Sequence, residues 1–213
     1  MSDAIALLAS LLLVFLSVAV ALFLNRFCHA GTEVSRKSVH MIVSLWIFIP
    51  VYWMKAPAAR LIGPFAFTVI NALLVQRGIG KSIGMGDRKR DNGLVFFPFS
   101  LLVLVLLFSC GVLSSYSVIA GVLTMGFGDG IAAIAGRGPG RHRYRVFSDK
   151  SAEGSIAMLL SSLAIALVFT PLGWLSLPVA IASAAIEAIS PPGYDNLTVP
   201  LLASALTEVL CSL

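Results

Sequence analysis

AIALLASLLLVFLSVAVALFL, Ala4 to Leu24, decides the class of this protein. It contains no charged residue and matches the roughly 20 apolar residues that a helix needs to cross a bilayer. Asp3 stands where a secretory signal would carry basic residues, and the run exceeds a usual signal core, so it reads as a retained helix. Of 213 residues, 58% are hydrophobic and 12% charged, whereas about a quarter are charged in a soluble domain. Further apolar runs cover Val39–Met54, Ala58–Gln76, Leu94–Cys110, Ser115–Ala135, Ser155–Thr170, Trp174–Ile189 and Leu197–Leu213. No polar stretch between them could build a second domain. The expected fold is all-α, with residues 1–213 as one polytopic integral membrane bundle of about eight transmembrane helices. The count falls to seven if the last run, which contains Glu208, does not cross.

The basic residues supply the orientation. Arg26, Arg36 and Lys37 fall in the first connection, Arg77, Lys81, Arg88, Lys89 and Arg90 in the third, and Arg137, Arg141, Arg143, Arg145 and Lys150 in the fifth. Only Lys55 and Arg60 lie elsewhere. Short loops rich in Lys and Arg stay on the cytoplasmic side, so the odd connections are expected in the cytoplasm and the N-terminus outside, in a multi-pass cell-membrane protein. The net charge of +5 then reflects topology, and no nucleic-acid partner is expected. Cys28, Cys110 and Cys211 are far apart and show no zinc or redox spacing; they read as packing residues.

Four polar clusters occur in or beside those odd connections, where charge near hydrocarbon calls for a partner or a function. SRKSVH, Ser35 to His40, sets Arg36 and His40 four apart on one helical face, with Lys37 beside them. GFGDG, Gly126 to Gly130, places Asp129 between Gly128 and Gly130. Glycine allows a backbone or a phosphate to approach closely, and a carboxylate at that depth suits a divalent metal or proton transfer, or is simply paired with a cation. GRGPGRHRYRVFSDKSAEGS, Gly136 to Ser155, joins five cations, Arg137 and Lys150 among them, to glycines and a helix start near Ser151, with Glu153 and Gly154 in its first turn. Backbone amides at a helix start together with Lys and Arg are what a polyphosphate needs. The stretch from Glu187 through SPPGYDN adds Asp195 and Asn196, oxygen ligands expected on the same side as Asp129. RGIGKS, Arg77 to Ser82, imitates the end of a P-loop, but Val75 stands where the first glycine is required.

Taken in order, the RK pair with His40, the GD with Gly136, KSAEGS (Lys150 to Ser155) and EAISPPGYDNLTVP (Glu187 to Pro200) resemble the polyprenol kinases over about the whole chain. That family includes dolichol, phytol and farnesol kinases and a CTP-dependent diacylglycerol kinase. The resemblance implies transfer of the terminal phosphate of CTP, or a related nucleoside triphosphate, to a lipid alcohol, with Mg²⁺ or another divalent cation. Family motif residues fall on Arg36, Lys37, Asp129 and Gly136, with Lys150, Glu153, Asp195 and Asn196 in the accompanying motifs. The expected catalytic group is Asp129, Arg36, Lys37 and His40, with Asp129 or else His40 taking the alcohol proton. Nucleotide phosphates are expected against Gly128, Gly130, Gly136, Arg137, Lys150, Ser151, Glu153 and Gly154, and metal at Asp129, Glu187, Asp195 and Asn196. KSIGMGDRKR in the third connection has no counterpart in the family pattern. A weaker similarity to CDP-diacylglycerol synthases leaves cytidylyl transfer to a lipid phosphate as one alternative, and a small transporter as another.

Overall fold

The computed structural model describes residues 2–29, 31–77, 88–137, 142–147 and 149–213, and of residues 32 and 88–91 the backbone only. Residues 78–87 of the third connection, with most of RGIGKS and KSIGMGDRKR, lie outside the described residues, as do residues 138–141 and 148 of the basic loop. The helices are α1 (Asp3–Phe27), α2 (Thr32–Ser44), α3 (Phe48–Tyr52), α4 (Pro57–Gln76), α5 (Arg88–Ser109), α6 (Ser115–Leu123), α7 (Asp129–Ala135), α8 (Ala152–Phe169), α9 (Ser176–Ile189) and α10 (Asp195–Cys211). A 3₁₀ turn, Leu45–Ile47, joins α2 to α3, and a π-helical stretch, Thr124–Gly128, joins α6 to α7, so each pair makes one rod.

Among the described residues, six rods are long and apolar enough to cross a membrane: Asp3–Phe27, Glu33–Tyr52, Pro57–Gln76, Asn92–Ser109, Ser115–Ala135 and Ala152–Phe169. The last two expected spans appear as shorter helices, Gly173–Ile189 and the 17-residue α10. The boundaries differ most at the second span, where the helix begins at Thr32 instead of Val39. Ser35 and Lys37 in its polar first turns are buried within the protein, and hydropathy alone reads such a polar start as loop.

Ser115–Ala135 is the central column. Of its spanning window 72% is buried within the protein, against 6% for α1 and 11% for α4. Lipid is as apolar as leucine, so the outer helices can leave Leu8, Leu12 and Phe15 uncovered, while close packing at the centre selects small residues. A β-carbon on Gly126 would collide with Ser44 of α2, one on Gly128 would fall 2.8 Å from Met158 Sδ of α8, and one on Gly130 2.7 Å from Met41 Cγ of α2.

Carboxylates tie one end of the bundle. Asp3 accepts hydrogen bonds from the backbone N–H groups of Lys55 at 2.8 Å and Ala56 at 3.1 Å. Glu208 near the end of α10 accepts from Ser114 N–H and the Ser117 hydroxyl, both at 2.7 Å, at the start of α6. The start of α2, the end of α7, the starts of α8 and α10 and the end of α9 converge at the other end of the rods.

There the basic loop contains an antiparallel hairpin, β1 (Arg143–Arg145) with β2 (Asp149–Ser151), which pairs Tyr144 with Lys150. The helix start expected near Ser151 is present: Ser151 is the N-cap of α8, and its Oγ accepts from Gly154 N–H at 3.1 Å. Ser151→Ala therefore lowers stability by about 1 kcal/mol, the usual worth of such a cap; thermal unfolding in detergent measures it, and an unchanged Tm contradicts it.

Candidate active site

Where those ends converge, they enclose a cavity of ≈ 470 Å³. From α2 come Glu33, Arg36 and Lys37; from α7 and the residues just after it come Asp129, Gly136 and Arg137. The hairpin and α8 contribute Arg143, Arg145, Phe147, Asp149, Lys150, Ser151 and Gly154, and the α9–α10 corner contributes Glu187, Gly193, Asp195 and Asn196. Each of the four polar clusters in the sequence supplies at least one of these residues.

The floor is ionic and buried. Lys37 forms an ion pair with Asp129, and Lys150 with Glu187, while Lys150 Nζ also lies 3.7 Å from Asp195 Oδ2. Asp129 and Glu187 are each 3% exposed and Lys37 6%, so none of these charges can be left to water. Oxygens of Asp129, Glu187 and Asp195 lie within 4.8 Å of one another. At an effective dielectric near 20, two like charges at that distance repel by roughly 3 kcal/mol or more. The two lysines offset two of the three negative charges and leave one over. Asn196 lies beside them at 5% exposure; its Nδ2 donates to Gly193 O and Asp195 Oδ1, both at 3.3 Å, while its Oδ1 has no hydrogen-bond partner among the described residues. An excess negative charge beside an unsatisfied buried amide oxygen fits a hard divalent cation, whose ligands are carboxylate and carbonyl oxygens.

Lys150, outside the spanning helices, is pushed up to about 12: burial works to lower it, but Glu187, Asp195 and Asp129 together outweigh burial. Its folded value exceeds the ordinary 10.5, so its stabilising contribution is complete below pH 10.5 and is lost only as pH rises through the folded value. The ammonium is charged throughout the physiological range.

The rim is cationic. Arg137 Nη2 pairs with Glu33 Oε2 at 2.8 Å, linking the end of α7 to the first turn of α2. Gly136 and Gly154 lie close to each other, a Cβ on Gly136 falling 3.6 Å from Gly154 Cα. Their lack of side chains keeps the approach to the α8 N-terminus open.

Several expected site residues lie elsewhere. Gly128 and Gly130 do not line the cavity; they accommodate Met158 and Met41, so their absence of a β-carbon serves helix packing. Glu153 also faces away from it. Its Oε1 accepts from His142 N–H at 3.2 Å and contacts His142 Nδ1 at 3.0 Å, fastening the hairpin to α8. His40 is buried behind the wall and stacked on Phe97, ring centroids 4.6 Å apart, while Arg36, expected on the same face, reaches the cavity. Glu33, Phe147 and Asp149 line the cavity but were not singled out from sequence; the signal available for Glu33 was an acidic residue one turn before the RK pair.

The chain is 37% identical over 202 residues to the phytol kinase of Synechocystis sp., covering 86% of this chain and 82% of that protein. It is 26% identical over 216 residues to dolichol kinase EVAN of Arabidopsis thaliana, covering 90% of this chain but 38% of the relative. No family model and no solved structure matches it.

Proposed function

This chain belongs to the polyprenol kinase family of lipid alcohol kinases, and from that premise we propose that it transfers the terminal phosphate of CTP to an isoprenoid alcohol of the phytol or polyprenol class. The observation that carries the reading is the meeting of Asp129, Glu187 and Asp195 with Lys37 and Lys150 on the floor of one cavity. Phosphoryl transfer asks a protein chiefly to position the reactants and to stabilise charge, and the cavity has groups for both.

In this reading the triphosphate enters from the cytoplasm and lies against Arg36, Lys37, Arg137 and Lys150. Gly136 and Gly154 let it come close to the backbone at the start of α8. Asp129, Glu187, Asp195 and the amide oxygen of Asn196 would hold Mg²⁺. Bound there, it supplies further neutralisation of charge on the transferring group. The lipid lies between helices with its hydroxyl at the cavity. Its oxygen forms the new bond to the terminal phosphorus, the bond from that phosphorus to the bridging oxygen breaks, CDP leaves, and the alcohol proton passes to a carboxylate oxygen of Asp129. Lys37 fixes that carboxylate on α7 and balances its charge. The arrangement suits one substrate that stays in the bilayer and one that stays in water. Cation-rich connections on the cavity side support a cytoplasmic mouth, by the bias of Lys and Arg towards that side.

The test is incubation of the purified protein in detergent with CTP or ATP, Mg²⁺ and a panel of phytol, farnesol, a long polyprenol and diacylglycerol, followed by mass spectrometry of the lipids. The expected result is a monophosphate of an isoprenoid alcohol, formed fastest with CTP. Faster phosphorylation with ATP refutes the choice of donor, and absence of any phosphorylated lipid refutes the reading.

A further inference from the structure

The family reading leaves one feature of the cavity without a role. Phe147, in the connection between β1 and β2, is 63% exposed, yet it lines the same polar cavity as Lys150 and the arginines. An uncovered aromatic ring on a protein surface is unremarkable by itself. This one is held on a fastened support. The Tyr144 hydroxyl and Ser155 Oγ are 2.5 Å apart, Glu153 receives the His142 N–H, and Ala152 N–H donates to His142 O at 2.9 Å. Two residues of the hairpin and its approach, His142 and Tyr144, are thus tied to three in the first turn of α8, which also carries the glycine side of the cavity.

Arg143, Arg145 and Asp149, within four residues of Phe147 in the chain, line the same cavity, with Arg145 Nε 3.8 Å from Asp149 Oδ1. A hydrocarbon chain would have to lie among these ions to reach the ring. A flat, polar-edged heterocycle has no such difficulty, since its face can stack while its edge meets water or charge. Reach agrees as well: Phe147 is three residues from Lys150, so their backbones are at most roughly 11 Å apart. This suits a ligand whose phosphates lie at Lys150 and whose base lies across a ribose from them.

We infer that Phe147 is the stacking platform for the nucleobase of the phosphate donor. The inference rests on the reading of the cavity as a nucleotide site and names the residue that holds the base. Stacking on an aromatic ring accepts any base, so Phe147 sets nucleotide affinity while leaving the choice among bases to other groups.

Equilibrium binding of radiolabelled CTP to the 213-residue chain in detergent with Mg²⁺ tests this without requiring turnover. Phe147→Ala is expected to weaken binding about tenfold, within the range of base–aromatic stacking, and Phe147→Leu to weaken it similarly because it keeps bulk but has no ring. Phe147→Tyr and Phe147→Trp should stay within about threefold of the unaltered chain on the same scale. In a kinase assay the alanine variant raises the KM for nucleotide and leaves that for the lipid alcohol in place. Unchanged CTP affinity in the alanine variant, full affinity in the leucine variant, or a rise confined to the lipid KM overturns the inference. Stacking behaviour in a protein that binds CTP but phosphorylates no lipid would refute the kinase reading and leave the platform standing; failure of the unaltered protein to bind any nucleotide overturns both.

Discussion

Asp129→Asn is expected to lower kcat/KM for lipid phosphorylation a hundredfold or more, the usual cost of removing one preorganised electrostatic group. The carboxylate is buried, paired with Lys37, and within 4.8 Å of two other carboxylates. Neutralising it removes the proposed proton acceptor and one proposed metal ligand together. It also strands Lys37, and breaking a buried pair from one side costs about 3–5 kcal/mol, so activity alone would confuse chemistry with folding. Lys37→Met combined with Asp129→Leu separates the two. Removing both partners of a buried pair is often neutral for stability, so the double variant should unfold near the temperature of the unaltered protein while remaining at least a hundredfold impaired. A folded double variant with normal turnover would remove Asp129 and Lys37 from the mechanism.

Lys150→Met is expected to have the second largest effect, because one ammonium serves two acids. Its Nζ pairs with Glu187 and stands 3.7 Å from Asp195, and with its side chain 19% exposed little water could replace it. Loss of this partner should destabilise the protein by about 3–5 kcal/mol and weaken nucleotide binding. Excess Mg²⁺ should restore part of the stability, since a divalent cation bound among the carboxylates stabilises the folded state by mass action. Thermal unfolding with and without Mg²⁺ reads both effects. A Lys150→Met protein as stable as the unaltered chain, and indifferent to Mg²⁺, would mean that the three carboxylates are not a strained cation site.

The sequence disclosed the membrane bundle because lipid-facing helices carry their apolar residues on every side, as α1 and α4 do. It set the start of the second apolar span at Val39, since hydropathy treats polar first turns as loop, whereas the helix itself begins at Thr32. Asp129, Glu187, Asp195 and Asn196 could be grouped because each lies towards the same expected side of the bundle. Their salt bridges could not be read. Lys37 and Asp129 are 92 positions apart, and nothing local tells which of many basic residues turns inward. Glycine misled for a physical reason: a missing β-carbon serves a phosphate or a neighbouring helix equally well, and at Gly128 and Gly130 the neighbours are Met158 and Met41. The hairpin escaped notice because three-residue strands made mostly of ions have no apolar alternation, and Phe147 was passed over with it.

The most direct measurement follows the label from CTP carrying ³²P in its terminal phosphate, with the purified protein, Mg²⁺ and phytol or a polyprenol. The account predicts radioactive lipid monophosphate and an equal amount of unlabelled CDP. Label released as pyrophosphate when a lipid phosphate is supplied in place of the alcohol, with cytidine monophosphate joined to that phosphate, would contradict it and make the protein a cytidylyltransferase.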